Sequence, residues 1–139
     1  MSGFLLDTNV VSEFRKGPRA DAAVISWAKS AVQEDHFISV LTLGELRKGI
    51  ELLRRRDPAQ VIALQRWVQE IELRFGDRIL PLTKNIADQW GRLAALRPLP
   101  VVDGLLAATA LIHSLTLVTR NAADVQHTGA PLLNPFGHS

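Results

Sequence analysis

Five short apolar runs, each ending at a polar, acidic or turn-forming residue, alternate along this chain with longer stretches of helical spacing. Residues 3–6, 36–40, 78–82, 115–119 and 131–134 have strand length, the last of them as an edge strand. Between them, Val10, Val11 and Phe14 open a short helix that Gly17-Pro18 closes, and residues 22–32 place Ile25, Ala28 and Val32 on one face. Residues 42–56 carry Leu43, Leu46, Ile50 and Leu53 as a helical stripe, broken by Asp57-Pro58 because a proline disfavours helix in the residue before it. Residues 58–75 repeat the pattern with Val61, Leu64, Val68 and Ile71, and Gly76-Asp77 ends it. Residues 83–96 form a helix that Asp88 and Gln89 mark as partly solvated, and residues 101–114 hold so little charge that their helix is expected deep in the core. Residues 120–124 read as a loop or helical turn. Strands alternating with helices predict an α/β fold, a parallel sheet of four to five strands with helices on both faces. Such sheets bind ligands beyond the carboxyl ends of their strands, near a topological switch point, so acids just after strands are the residues to follow.

A chain of 139 residues fits one domain, expected to span residues 1–139, with no room for a second catalytic or regulatory unit. Apolar residues make up 47%, enough for one core without staples, and the absence of cysteine excludes disulfides and Cys-based zinc sites. Phe4-Leu5-Leu6 is too short for a leader's apolar region, and no stretch approaches the roughly 20 apolar residues that span a bilayer, so a cytoplasmic protein without membrane contact is expected. Sixteen basic and 14 acidic residues leave a net charge of +2, which alone does not argue for nucleic acid. Two basic runs, Arg54-Arg55-Arg56 and the group Arg15, Lys16 and Arg19, suit either a solvated surface or phosphate attraction. His36, His113, His127 and His138 are scattered, with no pair at helical spacing to build a metal site. Trp27, Trp67 and Trp90 fall where helical core packing explains them.

Four acids merit individual weighing, and each has an ordinary explanation. Asp7 follows the first strand, where it can cap the helix beginning at Thr8. Glu45 lies three residues after Thr42, the spacing of a capping box. Asp103 sits in the first turn of a helix opened by Pro100, where the helix dipole favours a carboxylate by roughly 0.3–1 kcal/mol. Asp124 can be a loop acid. Their placement is what they share: Asp7 and Asp124 lie just past strands, and Glu45 and Asp103 lie in first turns of helices starting at the same end of the sheet. Asp103 is embedded between Pro100-Val101-Val102 and Gly104-Leu105-Leu106, and the nearest base in sequence is Arg97. Carboxylates converging without bases repel one another, a conflict that a divalent cation resolves. Oxygen-only ligands point to a hard ion, Mg²⁺ or Mn²⁺.

Leu5-Leu6-Asp7-Thr8-Asn9-Val10, with Ser12-Glu13 after it, resembles the opening motif of the PIN-domain nucleases. Residues 39–49 around Glu45 resemble the second motif, Asp103-Gly104-Leu105-Leu106 with the alanines after it resembles the third, and Leu117-Val118-Thr119-Arg120-Asn121 through Asp124 resembles the fourth. The order and spacing run through the whole chain to Leu133-Asn134-Pro135-Phe136. The likeness is to the VapC toxins of bacterial type II toxin–antitoxin systems, in particular their FitB-like branch. One departure is Val125, where relatives carry an aromatic residue.

The resemblance implies that Asp7, Glu45, Asp103 and Asp124 bind the metal and carry catalysis, with Thr119 and Asn121 in auxiliary roles, while Thr8 and Asn9 shape the first loop. It implies a Mg²⁺-dependent endoribonuclease, with Mn²⁺ as a substitute, whose products carry a 5′-phosphate and a 3′-hydroxyl. Asp103 or Glu45 would orient or deprotonate the attacking water. It further implies a homodimer and a hetero-oligomer with a cognate VapB-type antitoxin, whose carboxy-terminal segment wraps the toxin and places a basic side chain at the acidic pocket. Operator DNA would be reached only through that antitoxin. Apolar faces between residues 42 and 75 are candidates for the antitoxin groove, and Arg15, Lys16, Arg47, Lys48 and Arg120 are candidates for gripping RNA. Two rivals stay open: a phosphotransfer protein (a receiver module or a phosphatase) in which Asp7 is phosphorylated, although Asp7-Thr8-Asn9 lacks the second acid such sites use, and a binding module that keeps the fold without catalysis.

Overall fold

The computed structural model describes residues 3–137. All five apolar runs become strands, each shorter than its run: β1 (Phe4–Leu6), β2 (His36–Ser39), β3 (Ile79–Leu80), β4 (Thr116–Val118) and β5 (Leu132–Leu133). They pair in parallel in the order β3-β2-β1-β4-β5. The chain therefore builds outward from β1 to β3, returns to the other side of β1, and builds outward again. That reversal puts the switch point between β1 and β4.

Successive strand residues serve opposite faces, as the two-residue period requires. Leu5, Phe37, Leu80, Leu117 and Leu132 face one core, while Leu6, Ile38, Ile79, Val118 and Leu133 face the other. The first core is closed by α5 (Lys84–Leu96) and α6 (Val101–His113), and the second by α1 (Thr8–Val11), α2 (Ala22–Ser30) and α4 (Val61–Phe75). The helix α3 (Val40–Arg56) packs Leu46 and Ile50 against Val61 and Val68 of α4 in a third, smaller cluster. Trp27, Trp67 and Trp90 all pack against these cores, as expected. In α6 the residues from Leu106 to Ala110 are buried, yet its first residue, Val101, is 57% exposed, because the helix emerges into solvent at its amino end.

Three local expectations change. Residues 58–75 form a 3-10 turn, Pro58–Gln60, before α4 proper. After β4 the helical turn, one of the two expected forms, is a 3-10 segment that extends past Asp124 over Ala122–Thr128. The capping box of Thr42 and Glu45 does not form. Ser39, extended at φ −90° and ψ 154°, caps α3 instead through an oxygen that accepts from the Leu41 N–H at 3.0 Å. The helix thus starts two residues before the expected point, and Glu45 lies in its second turn. Among the described residues, no helix is long and apolar enough to cross a membrane. His138 lies outside them.

Candidate active site

Two ladder bonds set the floor of the site. The Asp7 N–H donates to Val118 O at 2.9 Å and the Thr119 N–H donates to Leu133 O at 3.0 Å, so both residues end their strands at the switch point. Asp7 is buried and caps α1 as expected, with Oδ1 accepting from the Thr8 N–H at 2.6 Å. Its other oxygen accepts from the Thr119 hydroxyl at 2.8 Å and from Asn9 Nδ2 at 3.4 Å. Capping and site membership are therefore not alternatives for Asp7. One oxygen caps while the other is steered by β4. Thr119 is buried, and its own oxygen accepts the Asn121 N–H at 3.0 Å, so Asn121 acts through its main chain.

Glu45 reaches the same mouth from α3. Its Oε1 accepts from the Thr8 hydroxyl at 2.5 Å, and Thr8 Oγ1 lies 3.2 Å from the hydroxyl of fully buried Thr42. A single proton on Thr8 goes to the carboxylate, which leaves Thr42 to donate to Thr8. Asp103 occupies the first turn of α6, partly buried and with no hydrogen bond to its carboxylate among the described residues. Its position depends on the next residue: a Cβ on Gly104 would stand 2.9 Å from Trp90 Cδ1, so only glycine lets α6 lie this close to α5. Asp124 is exposed at the start of the 3-10 segment, with its N–H bonded to Asn121 O at 3.0 Å.

The electrostatics tie these acids together. Burial pushes the Asp7 carboxyl above its ordinary range, the hydrogen bonds from Thr119 and Thr8 pull it back, and the charges of Glu45 and Asp103 push it up again. Asp103 is raised as well, first by burial and then by Asp124 and Glu45. Glu45 and Asp103 thus act on Asp7, and Asp124 and Glu45 act on Asp103, so the charged state of buried Asp7 and partly buried Asp103 is disfavoured. Among the described residues no three acidic or histidine side chains stand close enough to enclose an ion unaided. An open carboxylate mouth still suits Mg²⁺, which keeps several waters and takes only one or two carboxylates directly. The donor set fits a hard divalent ion.

Sequence reasoning missed Thr8 and Thr42 as supports for Glu45, and missed Glu13. Glu13 is 3% exposed, pairs with Lys16 Nζ at 2.5 Å and accepts the Asp21 N–H at 2.9 Å. Burial raises its carboxyl, but Lys16 and the Asp21 N–H outweigh that and leave it below its ordinary value. Its position one residue after Ser12 in the first motif was the only available signal. Val125, where an aromatic was expected, is buried in the core beside α6.

A switch-point mouth of carboxylates at the carboxyl ends of β1 and β4 defines an acid-site α/β protein. The chain belongs to the PIN-domain family, which it matches over residues 4–128. It is 34% identical to Toxin FitB of Neisseria gonorrhoeae, over 95% of this chain and 97% of that one. It is 29% identical to VapC ribonuclease Y4jK of Sinorhizobium fredii, over 95% and 96%. A crystal structure of FitAcB from Neisseria gonorrhoeae superposes with a TM-score of 0.84 at 34% identity, covering 95% of this chain and 97% of that chain. A structure of FitAB bound to an IR36 DNA fragment gives 0.81 at 30% identity, covering 98% and 97%.

Proposed function

We propose that this protein is a divalent-cation-dependent endoribonuclease, using Mg²⁺ with Mn²⁺ as a substitute, and the toxin of a VapBC-type toxin–antitoxin pair. The observation that carries the reading is the meeting of Asp7, steered by the Thr119 hydroxyl, and Glu45, held by the Thr8 hydroxyl, at the carboxyl ends of β1 and β4, with Asp103 near enough to raise the Asp7 carboxyl. Membership of a nuclease family and likeness to a protein named a VapC ribonuclease support it.

The ion would be held by Asp7, Glu45, Asp103 and Asp124, one or two of them directly and the others through its waters, and would there supply Lewis-acid stabilisation of the phosphodiester and lower the pKa of water. Thr119 and Thr8 orient Asp7, and Thr8 in turn holds Glu45. Asp103, whose carboxylate is free of hydrogen bonds among the described residues, is the acceptor for the proton of the attacking water. Water adds to phosphorus as its proton passes to Asp103, the bond to the 3′ oxygen breaks, and that oxygen takes up a proton from solvent. The products carry a 5′-phosphate and a 3′-hydroxyl.

The partner in this reading is a VapB-type antitoxin, through which operator DNA is reached; the similar FitAB assembly binds a DNA fragment. Two grooves on the side of α1 to α4 offer it a path. One of about 260 Å³ runs from Leu64 and Trp67 past Leu46 to Glu45, and another of about 390 Å³ lies among Phe14, Ile25, Ala28 and Phe75. A homodimer would cover Leu96 and Val101, exposed by 78% and 57% beside the mouth. One catalytic unit along the chain, working in the cytoplasm, completes the proposal.

The test is a Mg²⁺ titration of labelled single-stranded RNA cleavage, with EDTA as control and both new ends mapped. Cleavage that requires the ion and leaves 5′-phosphates supports the reading. Metal-independent cleavage, no cleavage, or phosphorylation of Asp7 by a small phosphodonor would overturn it.

A further inference from the structure

Acids that hold a cation also repel the phosphates of the strand to be cut, so the grip on RNA must come from positive charge at the rim. Two of the nearby basic residues are already engaged. Lys16 is committed to Glu13, and Arg47 shares Glu51 with Arg54 on the exposed face of α3. Arg120 differs in how it is held. It follows Thr119, whose hydroxyl steers Asp7, and its N–H donates to Asn9 Oδ1 at 3.2 Å. Asn9 also donates to Asp7, so one side chain links the carboxylate to the main chain of Arg120.

The carbonyl of Arg120 accepts from Asn134 Nδ2 at 3.5 Å, while Asn134 Oδ1 accepts the Phe136 N–H at 3.0 Å. That clamp brings the Phe136 ring beneath the guanidinium, whose central carbon lies 3.9 Å from the ring centroid. The residue is exposed, yet among the described residues the guanidinium makes no ion pair and its N–H groups donate to no protein acceptor. Glu13 feels its charge without pairing with it. The ring covers one side of the guanidinium, and no protein acceptor among the described residues takes its N–H groups. A guanidinium with its donors unused can pair with two non-bridging phosphate oxygens, and the ring removes part of the entropy a free arginine would lose on binding.

We propose that Arg120, held on Phe136 and tied to Asp7 through Asn9, is the phosphate-gripping residue that seats single-stranded RNA against the acidic mouth. Phe136 is a positioning residue that acts through Arg120. The inference rests on the ribonuclease reading above and adds to it a named substrate contact. The opposing view is that the stack only staples the carboxy-terminal segment to β4, which an exposed cation–π contact can do.

The experiment measures cleavage of a labelled single-stranded RNA over a range of NaCl concentrations, for the wild type, Arg120→Ala, Arg120→Lys and Phe136→Leu, with thermal melts alongside. Arg120→Ala should raise KM roughly tenfold, the worth of one charged hydrogen-bonded contact, with the loss falling on KM rather than kcat. Its plot of log(kcat/KM) against log salt should flatten by about 0.7, the share of one phosphate contact on a single strand. Arg120→Lys should recover the salt slope but only part of the KM, and Phe136→Leu should raise KM without changing the slope. An Arg120→Ala protein with wild-type KM and slope, whether or not it melts earlier, overturns the inference and leaves the ribonuclease reading standing. A wild-type protein that cleaves no RNA removes both.

Discussion

The Thr119 hydroxyl donates to Asp7 Oδ2 at 2.8 Å, joining two residues 112 positions apart across the switch point of the sheet. Both are buried, and each is placed by a ladder bond to the neighbouring strand. The contact fixes which oxygen of Asp7 faces the mouth. Thr119→Val removes the donor and keeps the shape. It should lower Mg²⁺-dependent cleavage by about 10- to 100-fold, the usual cost of losing a support behind a metal-binding carboxylate. Thr119→Ser should restore most of it. Equal activity in the valine and wild-type proteins would remove Thr119 from the site.

Asp103 carries a cost in the metal-free protein, because burial, Asp124 and Glu45 all disfavour its charge. Its carboxyl accepts no hydrogen bond among the described residues that an amide would lose. Asp103→Asn should therefore raise the melting temperature of the metal-free protein at pH 7 by a few degrees, the shift that about 1 kcal/mol makes in a domain of this size. The same variant should gain less from added Mg²⁺ than the wild type, since an ion that binds the folded state stabilises it in proportion to its affinity. Calorimetry with and without the ion checks both signs.

Gly104 is where the packing of α5 and α6 touches function. An added Cβ meets Trp90 Cδ1 at 2.9 Å and Nε1 at 3.0 Å, so one helix has to move. Gly104→Ala should destabilise by about 1–3 kcal/mol, as overpacking does. It should also lower cleavage, because the shift displaces Asp103. Denaturant unfolding beside an activity assay separates the two effects.

Glu13 gives the pH dependence. Its folded-state carboxyl titrates below its ordinary value of 4.5, because Lys16 and the Asp21 N–H outweigh burial. A depressed carboxylate contributes stability that is fully present above the ordinary value and is lost as pH falls through the folded value. Glu13→Gln should therefore be less stable than the wild type by about 1–2 kcal/mol at pH 7, with the gap closing as the pH drops below 4.5. Melting curves from pH 7 to pH 3 measure it.

Much of this was legible in sequence. The strand runs, the helical stripes and the acids just past strands are local patterns, and local patterns fix which face a side chain serves. Asp7 follows an apolar run and Asp103 sits in a first turn whichever neighbour each finds. Glu45 shows the limit. Thr42 and Glu45 have capping spacing, but Ser39 lies at the end of β2 with extended backbone and captures the helix start first. The supports were not legible for another reason. Thr8 to Glu45 spans 37 positions, Asp7 to Thr119 spans 112, and Arg120 meets Phe136 only because β5 pairs with β4. Such contacts depend on strand order, which alternation of strands and helices does not specify.

The most direct test of the account is cleavage of a labelled single-stranded RNA by the wild type and by Asp7→Asn, each with Mg²⁺ and with EDTA, after melts show that both fold. Asp7 is buried at the switch point and in the field of Glu45 and Asp103. The account predicts cleavage by the wild type with Mg²⁺ alone and none by a folded Asp7→Asn protein in either condition. Mg²⁺-dependent cleavage by Asp7→Asn at the wild-type rate would contradict it.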